Sequence, residues 1–279
     1  MEQPLRRWPD RGRSWTLQSP ITPEDKHTDL TLDSFDALTF DCYGTLIDWE
    51  SGLLAAYRRV LDANASPVSD DGLLEAHAHH ESRVEAGPYL PYRQVLERTL
   101  EAVCEELGCS PRPHEAQTFG DSVGEWPAFP DSAAALTALA TRFRLGVITN
   151  GDDDLFECSR RRLGARFDWV VTAEQARSYK PSPRNFELAL ERIGLPRERV
   201  LHVAQSIFHD HVPAKRLGLA TVWIDRRQGQ PGSGATPPAS AEPDLTLPDV
   251  ASLAHLAAAA DASAAAGSGE ARRAAGGAR

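Results

Sequence analysis

Cysteine is scarce in this chain: four residues in 279, at 42, 104, 109 and 158, with no Cys-x-x-Cys pair. A disulfide framework is excluded for a chain of this length, and reduced thiols are the expectation, at Cys104 and Cys109 as well. Positive charge is also short, with 30 Lys+Arg against 40 Asp+Glu and a formal net charge of −10. No nucleic-acid partner is expected, because phosphate binding needs a basic surface. The sequence has no run of 18 consecutive apolar residues, so no membrane-spanning helix is expected. Arg6, Arg7, Arg11 and Arg13 are followed by no apolar run. A secretory signal is therefore not expected, and a cytoplasmic location is. What is present is ordinary for a globular chain: 41% apolar and 25% charged residues, enough for one large domain or two smaller ones.

The ends differ from the middle. Residues 1–35 are rich in Pro, Arg, Asp and Thr without a period and read as a poorly ordered or surface-draped extension. Gly229 to Pro243 reads as a Pro/Gly/Ser loop, and the Ala/Gly-rich tail at 259–279 lacks large residues to dock it. Between them, short apolar runs at 37–41, 144–150, 167–173, 199–205 and 220–225 suit strands buried on both faces. Helical patterns separate the last four. Asp131 reads as an N-cap, 152–163 as a helix, and Asn185 to Ile193 as another that stops at Gly194. This alternation predicts an α/β fold with a parallel sheet. From Trp49 to about Gly124 the patterns are helical only, which predicts a second, helical domain lying as a lid over the sheet edge.

Chemistry-bearing residues fall at the predicted strand ends. Asp41 ends the first and Thr149-Asn150 the second. Lys180 follows the third, and Gln205-Ser206 leads from the fourth to Asp210. Asn150 to Lys180 and Lys180 to Asp210 are each 30 residues, about one βα unit, so these groups are expected to converge on one edge. A carboxylate in a dry pocket loses its solvent, and a lysine beside it keeps it ionised: together they make a nucleophile.

Asp-x-Tyr-Gly-Thr at 41–45, Thr149-Asn150, Lys180-Pro181 and Asp210 resemble, in order, the four motifs of the haloacid dehalogenase superfamily. The resemblance covers roughly residues 36–258. It implies a Rossmann-like parallel-sheet core at 36–48 and 129–258, with a helical cap domain at 49–128 inserted after the first strand. Tyr43, where the superfamily's phosphatases carry a second Asp, points to the type II L-2-haloacid dehalogenases. On this resemblance Asp41 attacks the alpha carbon of a 2-halocarboxylate, Lys180 holds Asp41 charged, and Asp210 activates the water that cleaves the ester. The N–H groups of Cys42 and Tyr43, with Thr149, would bind the substrate carboxylate. Asn150 would face the halide, Thr45 would brace the loop, and Gln205 and Ser206 complete the substrate-binding set. The implied ligand is a small carboxylate, with no metal and no cofactor; a homodimer is left open.

The chain also departs from that family. The stretch 73–81, where the dehalogenases carry a lid Arg, has none, and Arg83 is out of register. Phe186 stands in place of a Tyr, Gln205 of a Ser and Ile207 of an Asn. Another 2-substituted or cyclic carboxylate is therefore a rival substrate. A Mg²⁺-dependent phosphatase comes third, since Tyr43 and Gln205 replace two of the acids it needs. A non-catalytic binding protein is the reading from a different class. His77, His79 and His80 are expected on a solvated lid face and His211 at the surface, too few converging ligands for a metal. Cys42 is expected to point away from the site, Trp49 and Trp223 to pack, Asp48 to serve the turn, and Asp152 to Asp154 to form a helix cap.

Overall fold

The structure, a computed structural model, describes residues 30–61, 68–230, 232 and 234–261. Most of the expected extension and tail lie outside these residues. Six strands are described: β1 (Ala37–Phe40), β2 (Arg144–Thr149), β3 (Trp169–Thr172), β4 (Val200–Ala204), β5 (Ala220–Ile224) and β6 (Leu245–Leu247). They form one sheet in the order β3-β2-β1-β4-β5-β6, and every neighbouring pair is parallel. The first five match the apolar runs read from sequence. The sixth is a three-residue edge strand, Leu-Thr-Leu, too short to stand out by pattern.

After β1 the chain first forms four α-helices: α1 (Trp49–Leu61), α2 (Asp70–Glu85), α3 (Tyr92–Glu106) and α4 (Pro113–Asp121). Their buried residues recur three and four apart. In α3 these are Val95, Leu96, Thr99, Leu100 and Val103, one face of a helix turned onto its neighbours. The rest of the chain supplies α5 (Ser132–Leu139), α6 (Asp153–Leu163), α7 (Ala173–Ala176), α8 (Arg184–Ile193), α9 (Val212–Arg216) and α10 (250–261).

Strand side chains alternate between two helical layers. Leu38, Phe40 and Val203 meet Leu136 of α5, Phe156 of α6 and Leu253 of α10. Ala37, Ile148 and Val200 meet Phe186 of α8 and Ala214 of α9. Each large side chain so enclosed stabilises the fold by about 1.5–3 kcal/mol. Thr39 pairs in register with His202 at the centre of the sheet, so two polar side chains sit within an apolar layer.

Two expected caps act elsewhere. Asp131 precedes α5 but makes no side-chain bond there. Its carboxylate accepts from the N–H of Val250 (2.9 Å) and Ala251 (3.3 Å) at the start of α10, and from Arg226. Asp152 is the N-cap residue of α6, likewise without a side-chain bond to it. It accepts from the N–H of Tyr92 (2.8 Å) and Arg93 (3.2 Å), the first turn of α3. Spacing along the chain locates such residues at helix starts but does not say which helix they cap.

Candidate active site

β1 delivers Asp41 to the carboxyl edge of the sheet, and the chain turns sharply behind it. Gly44 has φ +95°, and a Cβ there would lie 3.0 Å from the Trp49 indole nitrogen, so this turn requires glycine. The turn brings Thr45 back beneath Asp41. Its hydroxyl donates to Asp41 Oδ2 at 2.7 Å and accepts from the N–H of Gln205 at 2.9 Å, joining the loops after β1 and β4.

Lys180 is fully enclosed. Its Nζ donates to Asp41 Oδ1 (2.8 Å), Asp210 Oδ1 (2.7 Å) and the Ile148 carbonyl (3.0 Å), so all three ammonium hydrogens are directed. Asn150 holds the backbone of Lys180: its Oδ1 accepts from the Lys180 N–H at 2.8 Å and its Nδ2 donates to the Lys180 carbonyl at 3.1 Å. Asp210 lies in a π-helical turn, Ile207–His211, capped by Ser206, whose hydroxyl accepts from the His209 N–H at 2.9 Å. Beneath Asp210 lies His202, with Nε2 3.0 Å from Asp210 Oδ1 and Nδ1 3.0 Å from Thr39 Oγ1.

One lysine between two buried carboxylates sets the electrostatics. Burial raises the Asp41 carboxyl above its ordinary value, with Lys180 opposing and Asp210 reinforcing the rise. Burial acts the same way on Asp210, but Lys180 and His202 outweigh it and hold that carboxyl well below the usual range. Burial alone would lower Lys180, yet Asp210 and Asp41 together raise it. Lys180 and Asp210 are thus held charged, and Asp41 is the more proton-hungry of the two carboxylates. Asp210 Oδ2 is buried without a hydrogen-bond partner among the described residues.

These groups line a small cavity of about 30 Å³ between sheet and cap, together with Tyr43, Asn150 and Ser206. A larger cavity of 390 Å³, bordered by Ala86, Tyr89, Arg177 and Phe208, shares Glu85 and Lys180 with it. Not every candidate reaches the inner space. Cys42 is buried in the core and burial pushes its thiol up. Thr45 and Thr149 are wholly buried at the edge, Thr149 with its hydroxyl unpartnered among the described residues. Gln205 turns its side chain toward Gly44 and a neighbouring cavity, and takes part through its backbone.

The cap contributes what sequence reading passed over. His77, expected on a solvated face, has no exposed surface, and its Nδ1 is 2.9 Å from the Tyr57 hydroxyl. His211, expected at the surface, is likewise enclosed, with Nε2 3.0 Å from the Ala204 carbonyl. Burial lowers both His209 and His211 to about 4, so each is neutral near pH 7. Glu81 and Glu85 of α2, Trp49 of α1, Tyr92 of α3, His209 and Thr236 also line the inner cavity. Tyr92 donates its hydroxyl to Glu81 at 2.9 Å. A signal was present: His77, Glu81 and Glu85 are four residues apart and make a polar stripe on one face of α2. Polarity alone does not separate a stripe facing water from one facing a site.

A parallel α/β core that holds an Asp–Lys–Asp cluster at its strand ends, covered by an inserted helical cap, defines a class of hydrolase. The haloacid dehalogenase-like hydrolase family model matches residues 35–210. The chain belongs to that family. It is 27% identical over 201 residues to an (S)-2-haloacid dehalogenase of Pseudomonas putida, covering 71% of this chain and 88% of that protein. It is 26% identical over 228 residues to haloacetate dehalogenase H-2 of a Moraxella species, covering 81% and 99%. The crystal structure of the L-2-haloacid dehalogenase PA0810 superposes with a TM-score of 0.65 at 26% identity, covering 81% of this chain and 99% of that one. The Rossmann-like core and helical cap are thus those of the family, and the chain is a hydrolase of haloacid dehalogenase type.

Proposed function

We propose that this hydrolase displaces the halogen of short 2-haloalkanoic acids through a covalent ester on Asp41, giving 2-hydroxy acids. The observation that carries the reading is the single ammonium of Lys180 bonded to both Asp41 and Asp210 in the wall of one cavity. Asp41 is poorly solvated and raised in proton affinity, which suits attack on carbon; Lys180 and Thr45 keep it ionised and aimed. In the first step an Asp41 oxygen bonds to C2 as the carbon–halogen bond breaks and halide leaves with the bonding pair. In the second, water attacks the ester carbonyl. Asp210 is held anionic, so its unpartnered Oδ2 orients that water and accepts its hydrogen as the new bond forms.

Main-chain N–H groups of Cys42 and Tyr43, with the Ser206 hydroxyl, are the proposed cradle for the substrate carboxylate, and the enclosed Thr149 stands outside it. Asn150 is proposed to face the leaving group. The small inner volume favours acids of two or three carbons, entering from the larger neighbouring cavity. Relatives named as 2-haloacid and haloacetate dehalogenases support the substrate class. No step of this reading requires a metal ion.

Single turnover in ¹⁸O water with 2-chloropropionate tests it. One ¹⁸O is expected in the Asp41 carboxylate, with halide release lost in Asp41→Asn. Label appearing only in the product, or turnover confined to phosphate esters with Mg²⁺, overturns it.

A further inference from the structure

The inner cavity carries more acid than a halide-releasing step can use. Four carboxyls line it, at Asp41, Glu81, Glu85 and Asp210, against one fully charged cation among the described lining residues, Lys180. That cation already serves Asp41 and Asp210. Glu81 is accounted for, since it accepts from the Tyr92 hydroxyl and lies 3.3 Å from His77 Nε2. Glu85 is different. Its side chain is 6% exposed, Oε1 accepts from Asn150 Nδ2 at 3.3 Å, and Oε2 lies 3.8 Å from His209 Nε2, a neutral imidazole. Burial and the nearby Glu81 push the Glu85 carboxyl well above the ordinary range, with Lys180 and Asn150 opposing. Among the described lining residues no guanidinium receives a departing halide, whereas the buried Glu85 carboxyl lines the same cavity as Asp41.

We propose that Glu85 is a general acid for an oxygen leaving group, and that short 2,3-epoxy carboxylates are substrates of this site. The inference rests on Asp41 attack as read above. An Asp41 oxygen bonds to C2, the C2–O bond of the ring breaks, and the ring oxygen takes the Glu85 proton to become a hydroxyl. Water then cleaves the Asp41 ester; the 2,3-dihydroxy acid departs, and the proton freed from water returns to Glu85. The sum is epoxy acid plus water giving dihydroxy acid, with no net proton and no oxidant. A strained ring is required, because an unstrained alkyl–oxygen bond is a poor target for a carboxylate. A three-carbon epoxide is also about the size of 2-chloropropionate, so it suits the same small cavity.

The full chain, with Glu85→Gln, Glu85→Asp and Asp41→Asn variants, is assayed on glycidate for glycerate and on 2-chloropropionate for chloride. The wild type is expected to open glycidate. Glu85→Gln is expected to lose about 10²-fold or more in kcat/KM for ring opening, a usual contribution of a positioned acid. Chloride release needs no proton, so the ratio of the two activities shifts at least tenfold, roughly the lower part of that effect. Glu85→Asp retains more ring opening than Glu85→Gln. Equal loss on both substrates, which is what a packing role produces, overturns the proposal. So does a wild type that releases chloride but leaves glycidate intact. Glycidate opening that survives Asp41→Asn, or a wild type inert to both acids, sinks the Asp41 reading itself.

Discussion

At the scale of single residues, Lys180 is the hub. Two buried carboxylates beside one another repel, and each has lost its water; the ammonium between them makes the arrangement tolerable. Lys180→Met keeps the volume and removes the charge. It is expected to cost about 3–5 kcal/mol in denaturant unfolding at pH 7, and to abolish turnover. Without the ammonium, Asp41 and Asp210 rise in pKa in the folded state above their unfolded values. The variant then gains stability relative to wild type as pH falls, so its deficit narrows at pH 5. A deficit that stays constant between pH 7 and pH 5 contradicts this account.

At the scale of elements, the cap is fastened to the core by a borrowed helix cap. Pro91 is the N-cap of α3 and offers no side-chain acceptor, while Asp152, 60 residues beyond Tyr92, accepts two of the first N–H groups of that helix. Arg93, in the same turn, pairs with Asp154 and Asp121, so core and cap meet through one charged cluster. Asp152→Ala removes the cap and is expected to cost about 1 kcal/mol. Hydrogen exchange locates the effect: faster exchange at Tyr92 and Arg93, with the amides of β1 and β4 unchanged. Tyr92 lines the cavity, so loosening this turn also raises KM for the acid substrate. The same carboxylate shows how local rules mislead. Position 152 is an N-cap by backbone, but its side chain serves a helix that only folding brings near.

At the scale of the whole molecule, pH reaches stability through the enclosed histidines. His211 is lowered from 6.5 to about 4 by burial, so the unfolded chain binds a proton there that the folded chain refuses. Its contribution is fully present above about pH 6.5 and is lost as pH falls toward 4, worth about 3 kcal/mol for the full shift. His209 acts in the same direction over the same window, whereas Asp41 and Glu85, raised by burial, act in the opposite one. The test is therefore a difference. His211→Gln can still donate to the Ala204 carbonyl, and the fall in Tm between pH 7 and pH 5 is expected to be smaller in that variant than in wild type. An equal fall in both shows that His211 does not contribute. The fold itself has no helix among the described residues that is long and apolar enough to cross a membrane.

Much of this was determined by sequence alone. Five of the six strands, the helical insertion after the first, and the placement of Asp41, Asn150, Lys180 and Asp210 at strand ends follow from apolar runs and from spacing of about one βα unit. Those signals are local, or repeat with the chain, so they survive without coordinates. Tertiary structure decided the rest. It showed that the α2 stripe turns inward and not to water, with Glu81 and Glu85 lining the cavity and His77 enclosed against Tyr57. It set His202 beneath Asp210 by strand register, and it turned the carboxylates of Asp131 and Asp152 to distant helices. The physical reason is common to all three. A polar side chain carries the same helix or strand signal whether its partner is water or a residue far along the chain, and only packing chooses between them.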